Sequence, residues 1–300
     1  MRFSLDIGGT NVKCAVVNDD GIIIRSGDFP TEADLATDEF GEIVVAGALS
    51  FLSEGDEKIE MVGAGMAGFT DGKRGIVHAS PNLPCIKDFE LARVLSEGFG
   101  VEAYTDNDAT VAAWGEYLFG GHDVKDLLVL TLGTGIGGGL VMDGRLYRGA
   151  NGMAGEFGQM ILVPDGPECP GGGRGCLEHW TSRTALEEEY RKLAGLTETV
   201  EPRIIHERAL KSDRAALVAW DSYGTRLGTV LASAANLLDP GIIVLTGGIA
   251  GAMEVFEASM YEAFNLHLIN PHKEKLKIVR SNLEGQAGLL GAAFLDLTHE

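Results

Sequence analysis

The residues best suited to chemistry sit at Thr105-Asp106-Asn107-Asp108-Ala109, where an apolar strand gives way to the helical stretch ATVAAWGEYLF. One of these polar side chains caps the helix, accepting from the orphan amides of its first turn. A single cap leaves a carboxylate in surplus, and that role is assigned to Asp108. A carboxylate beside a hydroxyl is the general base that activates an alcohol for phosphoryl transfer. The second group is a set of three glycine-rich turns, each attached to an apolar run: FSLDIGGTNVK at 3–13, LLVLTLGTGIGGGLV at 127–141 and GIIVLTGGIA at 241–250. Glycine reaches positive φ, and successive exposed N–H groups make a concave anion site. In the first turn Asp6 is placed to hold hydrated Mg²⁺, with Gly8, Gly9 and Thr10 as donors. Gly133, Thr134 and Gly135 form the second turn, and Gly247 and Gly248 the third. Three such turns point to one polyphosphate ligand, a nucleotide first of all.

Glu156 and Glu178 are isolated acids in the glycine-rich stretch 152–182, suited to hydrogen-bonding a polyol or to lying solvated on a loop. Cys169 and Cys176 are two thiols seven apart. With His179 as a possible third they still fall short of the four ligands of a structural zinc site. His206 and His272 have no cysteine neighbour and are expected at the surface.

Composition narrows the partners. The chain has 300 residues and a formal net charge of −20. A nucleic-acid partner needs a basic face, and no Lys/Arg cluster exists to provide one. An acidic protein that binds phosphates must use backbone amides and a divalent metal. The first strand opens almost at Met1 with no signal-type stretch before it. No apolar run reaches the roughly 18 residues that would cross a bilayer. Four cysteines without a framework pattern point to a reducing cytoplasm.

The elements that must position these residues follow from periodicity. Strands are expected at 2–7, 11–17 and 21–26, a helix at 35–53 and a strand at 59–66. A loop then runs to 85, followed by a helix near 88–98 and a strand near 101–105. A second strand-turn-strand opening follows Gly120-Gly121, with strands at 126–133, 137–143 and 145–148. The stretch 150–182 reads as loop, and helices follow at 183–194, 202–212 and 214–238. Strands at 241–246 and 276–280 and a closing helix at 285–297 complete the chain. The repeated opening suggests an α/β fold duplicated in two domains. They are 1–119, with a closing segment 285–300 packing back onto it, and 120–284.

In this order the motifs resemble the ROK family of bacterial sugar kinases and related repressors, and within it the glucokinases. They are DIGGTNVK, PNLP at 81–84, DNDA at 106–109, GTGIGGG at 133–139, GEFG at 155–158, GCLE at 175–178 and LTGG at 245–248. The resemblance implies the two-domain actin-like ATPase fold, each half on a five-stranded sheet, with ligands in the cleft between. It implies ATP-dependent phosphorylation of a hexose, glucose foremost, at the 6-hydroxyl with Asp108 as base. Gly68, Asn82, Asn107, Asp108, Glu156, Gln159 and Glu178 would serve the sugar. Asp6, Gly8, Gly9, Thr10, Asn11, Lys13 and the second and third turns would serve MgATP. It further implies a homodimer or larger. The alternatives are a kinase for N-acetylmannosamine, N-acetylglucosamine, fructose or allose, a polyphosphate-using kinase, and a non-catalytic sugar-binding regulator. One departure stands out. Where the family has a His and three Cys for zinc, this chain has Gln159 and Gly171 in two of the four places, so no structural zinc is expected.

Overall fold

The computed structural model describes residues 1–32, 36–53, 58–169, 171–272 and 275–298. Two five-stranded sheets dominate it. In the first, β1 (Arg2–Ile7), β2 (Asn11–Val17) and β3 (Ile23–Pro30) form an antiparallel meander. Helix α1 (Thr37–Leu52) then crosses to β4 (Met61–Met66), which pairs parallel to β1. A three-stranded sheet follows, built from β5 (Phe69–Asp71), β6 (Ile76–Ala79) and β7 (Lys87–Phe89). It occupies the Gly- and Pro-rich stretch expected to be loop. Helix α2 (Leu91–Phe99) leads to β8 (Glu102–Asn107), parallel to β4, and α3 (Asp108–Phe119) starts directly from it. The strand order is β3-β2-β1-β4-β8.

The second sheet repeats the plan as β11-β10-β9-β12-β13, from β9 (Leu127–Leu132), β10 (Ile136–Met142), β11 (Arg145–Leu146), β12 (Ile242–Thr246) and β13 (Ile278–Arg280). Between β11 and β12 lie α4 (Leu177–Thr181), α5 (Arg183–Ala194), α6 (Pro202–Leu210) and α7 (Arg214–Leu238). Helix α4 falls in the stretch read as loop. Helix α8 (Met253–His267) follows β12, and α9 (Ala287–Ala293) closes the chain. The 25-residue α7 begins at Asp213, whose side chain caps Ala216 N, and packs along α8.

The chain forms two compact units. One holds 1–125, 139–155 and 282–300; the other holds 126–138 and 156–281. The sequence boundary at 119/120 assigned 139–155 to the second domain, whereas this segment lies in the first unit. Helix α9 packs on α3, β1 and β4. Only glycines allow so close a seating. A Cβ at Gly291 would stand 1.9 Å from Val111 O, one at Gly115 2.0 Å from Ala287 O, and one at Gly63 1.8 Å from Ala292 O. The core of this unit is aliphatic and aromatic, centred on Phe3, Leu5, Val62, Phe40 and Leu91, all 2 % exposed or less. In the second unit Trp220 stacks on Phe256 and Tyr223 packs at an angle to both, within a buried cluster. His206 lies edge-on to Trp220 and bonds Glu254 at 2.9 Å, and His272 pairs with Asp239 at 3.3 Å. Neither is the free surface histidine expected, because each found an acid on a neighbouring element.

Candidate active site

Strand register assembles the site in the first unit. Ile7 lies beside Met66, and Met66 beside Asn107. The carboxyl ends of β1, β4 and β8 thus deliver Gly8, Gly68 and Asp108 to one sheet edge, the edge at which open α/β sheets take ligands. Asn107 is the cap of α3: its Oδ1 accepts from Ala109 N at 3.0 Å and Thr110 N at 3.1 Å. Its Nδ2 donates to Gly68 O at 3.0 Å, joining the β8 end to the β4 end. Capping therefore needs neither aspartate. Asp108 is half-buried at the first position of the helix, where the dipole favours a carboxylate.

In the first glycine turn, Gly8 N donates to Asn11 O at 3.1 Å, and Thr31 ties the far side through Thr31 N to Thr10 O and Thr31 Oγ1 to Gly8 O. The Gly8 amide is thus spent inside the turn. The amides of Gly9 and Thr10 have no backbone acceptor among the described residues. Asn82 of PNLP packs against Gly9, 3.1 Å from where a Cβ would stand. Asp6 sits opposite Lys13 in the β1–β2 ladder. Burial pushes its carboxyl above the ordinary range, and Lys13 only partly opposes this. No hydrogen bond reaches that carboxylate among the described residues. Asn11 and Lys13 are exposed on β2.

In the second unit β9 and β12 run parallel in register to Thr131 and Thr246, which brings the other two turns side by side. Gly247 adopts φ 88°, with Leu132 O 2.5 Å from where a Cβ would point. A Cβ at Gly133 or Gly248 would meet nothing within 4 Å, so both backbones are open to a ligand. Gly133 N is used internally, donating to Gly135 O at 3.0 Å. The amides of Thr134 and Gly135 have no backbone acceptor among the described residues. Glu178 is not a free loop acid: its Oε2 accepts from Ile136 N at 2.8 Å and stands 2.3 Å from a Cβ placed at Gly135. A side chain at 135 would expel it. Glu156 is exposed, yet its carboxyl is raised, first by desolvation and then by the charge of Glu178. The Gln159 amide packs on Gly171, 2.6 Å from a Cβ there.

Cys169 and Cys176 are joined in a disulfide, with Cys176 N donating to Cys169 Sγ at 3.1 Å. This corrects the expectation of a thiol pair, and it removes this pair from the argument for a reducing compartment. Spacing alone could not separate two thiols from a closed eight-residue loop. A disulfide sulfur is no thiolate ligand, and His179 is exposed against Trp180. Among the described residues no three His, Cys, Asp or Glu side chains converge. These residues do not fit the zinc of the family pattern. Magnesium makes a smaller demand, one carboxylate plus waters and phosphate oxygens, and the unpartnered Asp6 carboxylate fits it.

Arg148, which the sequence reading passed over, is 7 % exposed and its Nε donates to Asp106 Oδ2 at 2.6 Å. The only clue to it was a lone Arg in an otherwise uncharged RGANG run.

An α/β fold that sets glycine turns and a helix-starting carboxylate at the carboxyl ends of parallel strands defines a class of small-molecule phosphate-binding proteins. The ROK family model matches residues 2–299, and the chain belongs to that family. It is 33 % identical to a glucokinase of Thermotoga maritima, over 96 % of this chain and 95 % of that one. It is 30 % identical to an N-acetylmannosamine kinase of Vibrio cholerae, over 97 % of each. A crystal structure of a ROK family glucokinase from Streptomyces griseus in complex with glucose and AMPPNP matches with a TM-score of 0.86. It shares 32 % identity and covers 99 % of this chain and 98 % of that one. The fold is the actin-like ATPase fold of this family.

Proposed function

We propose that this protein is an ATP-dependent hexose kinase of glucokinase type, phosphorylating the sugar 6-hydroxyl with Asp108 as general base. The observation that carries the reading is the division of labour at the start of α3. Asn107 caps the helix and anchors Gly68, so Asp108 is not needed for capping at the sheet edge where ligands bind. Asp108 takes the hydroxyl proton as the sugar oxygen attacks phosphorus. Asn107 keeps a second Nδ2 hydrogen for the sugar, with Gly68, Asn82, Glu156 and Gln159 as further sugar contacts. Glu178 supports the Gly135 turn from behind and offers its other oxygen to the same ligand. MgATP, when bound, supplies the γ-phosphoryl group, and the oxygen bridging to ADP keeps the electron pair. Asp6 would hold its hydrated Mg²⁺. The unspent amides of Gly9, Thr10, Thr134 and Gly135 would serve the phosphates, with Asn11 and Lys13 beside them and Gly247 and Gly248 under the adenosine.

Relatives named for glucose in both sequence and structure support glucose as acceptor. The N-acetylmannosamine kinase relative supports the second reading, and Gln159, an amide where the family has a histidine, alters one sugar contact. A coupled ADP-release assay with ATP, or with polyphosphate as donor, over glucose, N-acetylmannosamine, N-acetylglucosamine, fructose and allose decides among these. Glucose should give the highest kcat/KM. Sugar binding without turnover on any of them would turn the reading to a regulator. We also propose a homodimer in the cytoplasm, to be checked by light scattering and cell fractionation. No helix among the described residues is long and apolar enough to cross a membrane.

A further inference from the structure

We propose that Arg148 and Asp106 form a positioning pair that fixes the strand-to-helix joint from which Asn107 and Asp108 project. Asp106 is 1 % exposed, and its two oxygens have separate duties. Oδ2 accepts from Arg148 Nε at 2.6 Å, and Oδ1 accepts from Asn107 N at 2.8 Å. The carboxylate therefore grips the backbone of the residue that caps α3 and reaches Gly68. Arg148 is itself anchored, its Nη2 donating to Thr298 Oγ1 at 2.7 Å, which in turn donates to Leu295 O. Its backbone is pinned by Ala154 N donating to Arg148 O at 3.1 Å. Gly72 roofs the pair: a Cβ there would stand 2.4 Å from Asp106 Oδ2.

A buried ion pair is poor value as a stabiliser, because desolvation offsets most of its attraction. Its worth here is geometric. Without it the 106–107 peptide can rotate, and the vector on which Asp108 leaves the sheet turns with it. Arg148 and Asp106 touch no reacting atom in this account; they act through Asn107. The proposal rests on the kinase reading for its kinetic arm and on the fold alone for its exchange arm.

The charged groups acting on Asp106 are Arg148, which favours its ionised form, and Asp71 on β5, which opposes it. The test is Arg148→Met, with Arg148→Lys as the conservative partner. Arg148→Met should lower kcat/KM for the sugar by about 10-fold to 10²-fold, the scale of a misplaced reacting group. The KM for MgATP should stay within about twofold. The acid limb of the sugar kcat/KM profile should move to higher pH, because burial and Asp71 are then opposed only by the Asn107 N–H bond. Arg148→Lys should restore most of both. By hydrogen exchange, the amides of Asn107, Ala109 and Thr110 should lose protection while β9 and β12 do not. Equal losses for sugar and MgATP, or unchanged exchange over 105–110, would overturn the pair. A wild-type protein that turns over no hexose refutes the kinase reading instead, and the exchange arm then decides this proposal by itself. Should Arg148→Met not fold, Asp106→Asn and Arg148→Lys carry the same comparisons.

Discussion

In the proposed function the carboxylates of Asp108 and Asp6 have different duties, and substitution separates them. Asp108→Asn keeps the shape and the helix start, because Asn107 does the capping. It should leave sugar affinity near wild type while turnover falls by about 10²–10⁴ as general-base catalysis is lost; near-normal turnover would remove Asp108 from its role. Asp6 has a raised folded pKa, so its ionised form carries a burial cost in the folded protein. Stability from this group is intact below its unfolded value of 3.8 and is lost as pH rises through the higher folded value. Asp6→Asn has no such loss. Without ligands its Tm should equal wild type near pH 3.8, then exceed it by a margin that grows and levels off toward neutrality. Turnover should meanwhile drop by roughly 10- to 100-fold, as for lost support of a metal. A Tm gap that does not depend on pH would dismiss the burial argument. At this scale the sequence showed three polar residues for one cap and so a surplus acid. It did not show that Asp106 was committed to Arg148, because the partner lies 42 positions on in a loop with no periodic signal.

Among the elements, the glycine turns and the helices α1, α5 and α7 were legible because each rests on local rules: a strand breaking at glycine, or a 3.6-residue stripe. Helices at 183–194 and 214–238 lie where the pattern put them. The strands β5, β6 and β7 were not legible, being three or four residues long and punctuated by Gly and Pro, so that only pairing with each other defines them. The disulfide was hidden for a similar reason, since two cysteines in a glycine-rich loop carry no pairing signal. Under denaturing, non-reducing conditions only Cys14 and Cys85 should alkylate, and reduction should free two further thiols; four reactive thiols at once would rule the bond out. The α3–α9 crossing makes a sharper demand. Gly291→Ala puts a methyl where Val111 O stands 1.9 Å away. Overpacking of this kind costs about 1–3 kcal/mol, and Tm should fall by roughly 2–4 °C for each kcal/mol. An unchanged melting curve would mean the helices can part freely.

For the whole molecule, charge and chain order matter most. A net charge of −20 repels a nucleotide, and in the proposed site the turns would answer with main-chain amides rather than a lysine cluster. Screening should therefore help binding: raising inert salt from about 0.02 to about 0.2 M at fixed free Mg²⁺ should lower the KM for ATP. A rise would indicate attraction through basic side chains, which salt weakens. The expected sign follows from composition, and the internal duplication foretold two similar sheets, but how the chain divides between units depends on non-local packing. The seat of α9 against β1, β4 and α3 also has a bearing on biosynthesis. The ribosome makes the strands of the first sheet well before their covering helix, which follows some 170 residues after α3 ends. The second unit's residues have all been made before that helix, so this unit can settle while the nascent chain is still growing. Until that helix emerges, the part of the opening sheet that it covers stays exposed to chaperones and proteases.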